Sequence, residues 1–492
     1  MIQLTDNRFG NQAEKFCFEN SPAEKNVRRI CHGKTEKGVW DLVSKCANQK
    51  ICDLQTESQG NLIVFTQKNW DDSFYEIRGC IPENPPDSFC LETGNMMGIL
   101  NLRGHGTSVK IQIQSRFDQD GKQYFLNYLL GKVFEVNFSD LVSAQDEIMW
   151  DMMLAFAFLW RFRKAGEIGL YKQYHKNEYN DLNFRGKLDL DRHLKRNYPL
   201  CGKIACSKRE ITFDNPLNHL LRFALAKIEK KWPSMLDSSR DVRQLLTELK
   251  QATPTWTGGS PTRILNHKDT LYPVRQPYFA EHYEPLRKIA RMLLSDEGAN
   301  VYDQPEQNSD LEISGVIFDG AWLWEEYIAT LLPEYLHASY DEKRHPIPIF
   351  EGESNSFYPD FRWNDSSGNC KVVLDTKYKK DSKTGNREDI HQVLCYMFLT
   401  GADRGGLVYP PKDPQDGNTN SQTKSDDENV GVKQLTIDQK TVETEKFWRN
   451  FSFEPVSACK GLDDFCNTMK ASEEKFREFA LENAESDSAI TG

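Results

Sequence analysis

Tyr358-Pro359-Asp360-Phe361-Arg362 is followed, after the polar turn Asn364-Asp365-Ser366-Ser367-Gly368-Asn369, by Val372-Val373-Leu374-Asp375-Thr376-Lys377-Tyr378-Lys379. A short apolar, β-branched run entered from such a turn predicts a strand over 371–378, paired as a hairpin with the segment before it. Side chains alternate along a strand, so Asp375 and Lys377 share one face while Leu374 and Thr376 take the other. Pro359 lacks a ladder donor and suits a strand start, which leaves Asp360 at the lip of the same sheet. Two carboxylates and an ammonium so placed can hold a divalent cation and a water against a phosphodiester. Hard cations such as Mg²⁺ take carboxylate and carbonyl oxygens and keep several waters. Asp360, Asp375 and the carbonyl of Thr376 would supply those oxygens. Lys377 would orient the water or stabilise charge on the phosphoryl oxygens. The same residues also have a bland reading: Pro-Asp is a common turn dipeptide, repeated here at Pro86-Asp87, and Asp-x-Lys is a common exposed strand pattern.

The flanking sequence adds candidates. Leu323, Tyr327 and Leu331, with Trp324, Ile328 and Leu332, form a wide apolar helical stripe that Pro333 closes. Glu325 sits at its margin, where a carboxylate is either a solvated flank or an extra metal ligand aimed at the sheet. Downstream, acidic residues open a helix at Asp389 and Gly401 ends it. Gln392 and Tyr396 lie four apart and share one face of that helix, able to reach a metal site or a DNA backbone, or simply to edge a core helix. A strand over Gly405–Tyr409 then stops at Pro410-Pro411. The order from 320 to 410 is helix, hairpin, strand, helix, strand.

Together, Glu325, Pro359-Asp360, Asp375-Thr376-Lys377 and Gln392-x-x-x-Tyr396 resemble the PD-(D/E)xK nuclease superfamily, in the branch with a Gln-x-x-x-Tyr helix. Within it the chain is similar to the McrC family, nuclease subunits of McrBC-type modification-dependent restriction systems. The likeness extends through Leu170–Tyr174, Asn183–Leu188, Phe213–Leu221, Leu323-Trp324-Glu325-x-Tyr327 and Leu407-Val408-Tyr409-Pro410, covering about 165 to 410. The chain departs from many relatives at Gln114-Ser115-Arg116-Phe117, where they carry Pro-Lys after an N-terminal strand. The resemblance implies an Mg²⁺-dependent DNA endonuclease acting in antiviral defence. Asp360, Asp375 and Glu325 would hold the metal, with Lys377, Gln392 and Tyr396 completing the catalytic set. It also implies an AAA+ GTPase partner of the McrB type, which would bind the GTP and read the DNA. Two alternatives stand beside it: an autonomous RecB-like processing nuclease, and a nuclease-derived, non-catalytic adaptor of an AAA+ ring.

With 492 residues the chain has room for several domains, each able to bury a core. An α+β multidomain fold is expected: a β-rich N-terminal domain over 1–140, a mostly helical middle region over 141–310, and a C-terminal α/β PD-(D/E)xK nuclease domain over 311–480. An acidic tail follows over 481–492. In the first part the alternation of Val109-Lys110-Ile111-Gln112-Ile113 argues for a half-solvated antiparallel sheet or small barrel. In the second, Asp214-Asn215-Pro216 caps a helix with Leu217, Leu221, Leu225 and Ile228 at helical spacing. Residues 413–431 are poor in hydrophobic residues and predict a loop or disorder, followed by a strand over 432–437 and a helix over 441–451.

Composition narrows the function. Met1 to Asn20 is polar and the most apolar run, Ile148 to Phe162, contains Asp151 and Arg161, so the expected chain is cytoplasmic and has no membrane partner. The twelve cysteines show no C-x-x-C pair, which argues against a zinc site and for reduced thiols. Gly33-Lys34-Thr35 has Arg28 where a phosphate loop needs its first glycine, so this chain is not the NTPase. The net charge of −11 is unevenly spread: residues 413–492 carry 17 acidic and 9 basic side chains, and residues 161–210 carry 13 basic and 6 acidic. That basic segment, with Tyr171, Tyr174, Tyr179 and Phe184, could follow a phosphate backbone or be a solvated surface.

Overall fold

The computed structural model describes residues 2–6, 8, 14–18, 28–30, 36–58, 62–65, 73–78, 88–104, 107–118, 123–134, 146–199, 201–237, 240–295, 312–338, 345–349, 356–379, 386–411, 433–434, 436–437, 440–441, 446–456, 459 and 461–485. The loop expected over 413–431 lies outside them, as does most of the acidic tail. The chain forms two compact units, Met1–Ser143 with Ser309–Gly492, and Ala144–Asn308.

In the first unit, Met96–Gly104 and Thr107–Gln114 form an antiparallel hairpin, and Ile2–Thr5 adds in parallel to its outer strand. On the other side lies Glu312–Asp319, antiparallel to Met96–Gly104 and parallel to Leu62–Phe65. The sheet is therefore mixed, not the antiparallel sheet or barrel that alternation suggested. Its one face is covered by helix Glu36–Cys46, whose Val39, Trp40 and Val43 share a core with Leu4, Leu100, Leu102, Ile111 and Ile113. Leu62–Phe65 is buried at every position, as expected of a strand with a parallel neighbour and no solvated face. The reading that separated 1–140 from 311–480 is corrected: Glu312–Asp319 lies inside this sheet, so residues on both sides of the middle region build one unit.

Glu312–Asp319 runs directly into helix Gly320–Leu331, with the Asp319 side chain accepting from Ala321 N at 2.9 Å. A second sheet follows, ordered Leu336–His337, Phe361–Asn364, Cys370–Thr376, Arg404–Tyr409, Phe447–Trp448 and Lys433–Gln434, with Phe451–Ser452 also on Arg404–Tyr409. The expected hairpin is present, with Phe361 opposite Leu374. Cys370–Thr376 and Arg404–Tyr409 are parallel, joined by helix Arg387–Thr400, so the two strands and their crossover helix bury Val373, Val393, Met397, Leu407 and Tyr409 together. Gly401, in the left-handed region at φ 74°, ends that helix where the sequence placed its stop. The helix expected over 441–451 is instead strand at Phe447–Trp448 and Phe451–Ser452, because the open edge of Arg404–Tyr409 offers ladder partners that outweigh a weak helical pattern. Helix Leu462–Glu485 packs here too: Glu473 accepts from Tyr128 and Tyr327 hydroxyls, each at 2.8 Å, and pairs with Lys132 at 3.0 Å.

The second unit contains helices Asp146–Glu167, Pro216–Lys231, Arg240–Ala252 and Pro277–Ser295. Asn215 caps the second through Asn218 N, and Leu217, Leu221, Leu225 and Ile228 are buried as their spacing predicted. A three-stranded antiparallel sheet, Gln173–Asp181, Ile204–Thr212 and Lys187–Leu188, was not expected in a mostly helical region. Gln173–Asp181 is polar and lies largely open to solvent, so it carries no apolar period to announce a strand.

Candidate active site

The geometry of the second sheet brings one carboxylate from each hairpin strand to the same end. Asp360 precedes Phe361–Asn364, and its Oδ2 accepts from both the backbone N and the hydroxyl of Thr376, each at 2.7 Å. These bonds clamp the two strands where they emerge from the sheet. Asp375, 1 % exposed, sits one residue earlier on Cys370–Thr376, between core residues and the parallel neighbour Leu407.

Lys377 is fixed by three groups. Its backbone N donates to Val408 O at 2.9 Å, continuing the parallel ladder one residue past the strand. Its Nζ forms an ion pair with Asp375 Oδ2 and donates to Gln392 Oε1 at 3.0 Å. Alternation had placed Asp375 and Lys377 on one face, and their contact realises it. Burial by itself would lower the Lys377 pKa, but the charges of Asp375 and Asp360 outweigh it and hold the ammonium above its usual range. Lys377 therefore stays a cation at neutral pH while those two carboxylates are charged.

Gln392 and Tyr396, one turn apart on helix Arg387–Thr400, extend the chain of contacts. Gln392 spends its carbonyl on Lys377, and its Nε2 donates to the Tyr396 hydroxyl at 2.9 Å. The amide orientation follows from these two partners, since an ammonium can only donate. Tyr396 is pushed up to about 12, first by burial and then by the nearby charges of Asp375 and Asp360, against the lowering bond from Gln392. Its hydroxyl accepts from Gln392 and keeps its proton to offer elsewhere. At the same helix's start, Asp389 pairs with Lys379.

The structure thereby brings together Asp360, Asp375, Lys377, Gln392 and Tyr396. Glu325 occupies a neighbouring position. It is buried on helix Gly320–Leu331, and its Oε1 lies 3.0 Å from His337 Nε2. The His337 ring stacks on Phe361 at 5.0 Å, and the next residue, Ala338, donates its N–H to Asp360 O at 3.1 Å. Among the described residues no three His, Cys, Asp or Glu side chains converge in a metal-binding group. His337 was missed in the sequence because it lies in a two-residue strand with no periodic pattern around it. Among the described residues no helix is long and apolar enough to cross a membrane.

A family model described as McrBC 5-methylcytosine restriction system component matches residues 91–410. One similar solved structure is a refined half-complex from the tetradecameric assembly of Thermococcus gammatolerans McrB AAA+ hexamers with bound McrC. It is 14 % identical, with 96 % of this chain and 99 % of that chain covered and a TM-score of 0.39. Another is the cryo-EM structure of the Thermococcus gammatolerans McrBC complex, 14 % identical, covering 68 % of this chain and 87 % of that chain, with a TM-score of 0.29. No curated protein matches the chain. The matched span holds all of Glu325, Asp360, Asp375, Lys377, Gln392 and Tyr396 and takes in more than half of the 492 residues; the chain belongs to the family of McrBC 5-methylcytosine restriction system components.

Proposed function

We propose that this chain is the nuclease subunit of a McrC-type restriction complex. It is an Mg²⁺-dependent endodeoxyribonuclease of the PD-(D/E)xK kind, cutting DNA together with a McrB-type AAA+ GTPase that binds the GTP. The observation that carries this reading is Lys377, held between Asp375 and Gln392 with Asp360 close enough to raise its pKa.

The donor chemistry fits a hard divalent cation. Asp360 and Asp375 contribute only oxygens, and both carboxylates act on the same ammonium and the same phenol. With Mg²⁺ bound there, the ion would supply Lewis-acid neutralisation of the phosphodiester. The remaining work belongs to the chain. Lys377, charged at neutral pH, places a donor where negative charge grows on the phosphoryl oxygens or on the attacking water. Gln392 fixes the direction of that ammonium. Tyr396, its proton retained, donates toward the DNA strand. Glu325, engaged with His337, braces the Leu336–His337 strand beside Asp360.

The test is cleavage of methylated plasmid by the full chain with a McrB-type partner, GTP and Mg²⁺. Asp375→Asn and Lys377→Ala should each lower the rate by about 100-fold or more while circular dichroism shows a folded chain. Cleavage at the wild-type rate by either variant would remove this site from consideration.

A further inference from the structure

The residue after Lys377 is held by the N-terminal part of the same unit. Arg116 Nη2 donates to Tyr378 O at 2.9 Å, and the guanidinium lies over the Tyr378 ring, 4.8 Å from its centroid. Asp6 anchors this arginine: its Oδ1 accepts from Arg116 N at 2.5 Å and its Oδ2 lies 3.6 Å from Nη1. The Tyr378 hydroxyl meets Ser115 Oγ at 3.3 Å, and Phe117 packs edge-on against its ring. Asp6, Arg116 and Tyr378 are 0 %, 3 % and 5 % exposed. Gly320 makes room for the ring, since a Cβ there would come within 2.5 Å of Tyr378 Cε1.

We infer that Arg116, anchored by Asp6, is a positioning residue for Lys377. The inference rests on the nuclease reading of the site. Lys377 lies one residue beyond the end of Cys370–Thr376, where one backbone bond, to Val408 O, continues the ladder. The second fixed point is the carbonyl of Tyr378. Arg116 secures it with one arm of its fork while the other faces Asp6, a division of labour that a point-charge ammonium cannot reproduce. A buried ion pair contributes little net stability compared with well-packed apolar residues. Its placement against the peptide that follows Lys377 matters instead for where the ammonium points.

The experiment uses the full chain with the partner, GTP and Mg²⁺, and two readouts. Arg116→Ala should lower kcat by about 10-fold or more with KM for DNA unchanged, because a displaced catalytic group loses rate and not binding. In the chain alone, acetylation of Lys377 followed by mass spectrometry should be several-fold faster in Arg116→Ala than in wild type. Lys132, paired with Glu473 at 3.0 Å in the same unit as Lys377, should label at the wild-type rate and so report an intact fold. If Arg116→Ala does not fold, Arg116→Lys carries the test; it keeps a charge opposite Asp6, loses the fork, and should show the same two changes. Wild-type kcat together with wild-type Lys377 labelling in a folded variant would overturn the inference. An inactive wild type whose Lys377 labelling still responds to Arg116 would instead count against the nuclease reading and leave the positioning intact.

Discussion

Asp118 accepts the backbone N–H of Phe125 at 2.6 Å, and burial pushes its carboxyl from 3.8 up to about 7, against the lowering effect of its backbone bonds. An acid whose folded pKa is raised binds more protons in the folded than in the unfolded chain. Its ionisation therefore costs stability progressively as pH rises from about 4 to about 7, and nothing below that window. Asp118→Asn keeps an acceptor for Phe125 N without the buried charge. Thermal melts should show equal stability for variant and wild type at pH 4, and a variant more stable by roughly 4 kcal/mol at pH 8. A pH-independent difference would mean that Asp118 does not titrate there. Lys377 and Asp375 pose the opposite case. Two carboxylates without a metal repel one another, and on that ground alone Asp375→Ala would keep or slightly raise thermal stability. The structure puts the Lys377 ammonium on Asp375, so Asp375→Ala takes away the ion-pair partner of a largely buried cation and leaves it to Gln392 and the more distant charges of Asp360 and Asp389. Its melts should show a loss of about 2 kcal/mol or more, and an unchanged midpoint would show that the ion pair does not support the fold.

At the scale of elements, the two strands that carry the site depend on a close approach behind them. A Cβ on Gly406 would lie 1.9 Å from Arg449 O, which is backbone and cannot swing away. Gly406 is also the register partner of Leu374, one residue before Asp375. Gly406→Ala should therefore destabilise the chain by about 1–3 kcal/mol in urea melts, and hydrogen exchange should rise first at Phe447–Ser452. Wild-type stability would mean that the outer strands shift at no cost. Around this sheet the sequence was informative. The hairpin turn, the stop at Gly401, the crossover helix and the Gln392/Tyr396 spacing all follow from short-range chemistry, and each element lies where its pattern put it. Elements set by partners distant in sequence were not legible. Glu312–Asp319 read as the edge of a new domain because nothing local says that Met96–Gly104 and Leu62–Phe65 flank it. Phe447–Ser452 read as helix because its ladder partner lies some forty residues earlier. The polar strand Gln173–Asp181 had no apolar face to betray it. The candidate site shows the same limit: the nearness of Asp360, Asp375 and Lys377 could be read from spacing and alternation, whereas His337 and the Asp6–Arg116 pair come near them only through tertiary packing.

For the whole molecule, charge decides what the chain can do alone. At a net charge of −11, with 13 basic against 6 acidic residues over 161–210, the chain has few cations to spare for neutralising phosphates. In the second unit several of those cations are already engaged: Arg192 pairs with Glu178 and Asp189, Lys195 with Asp191, and Lys208 with Glu210. Affinity of the isolated chain for DNA should therefore be weak and fall steeply with salt. Cutting at physiological salt would then require a partner that holds the duplex and raises the effective concentration of phosphodiester at Asp360 and Asp375. The assay is nicking and double-strand cutting of methylated and unmethylated plasmid across a salt series, by the chain alone and with a McrB-type partner and GTP. The expected outcome is cutting that needs both partner and GTP and disappears in Lys377→Ala. Robust cutting by the chain alone at physiological salt would place it among autonomous processing nucleases. Stimulation of the partner's GTPase without cutting, and unaffected by Lys377→Ala, would make it an adaptor whose carboxylates no longer serve hydrolysis.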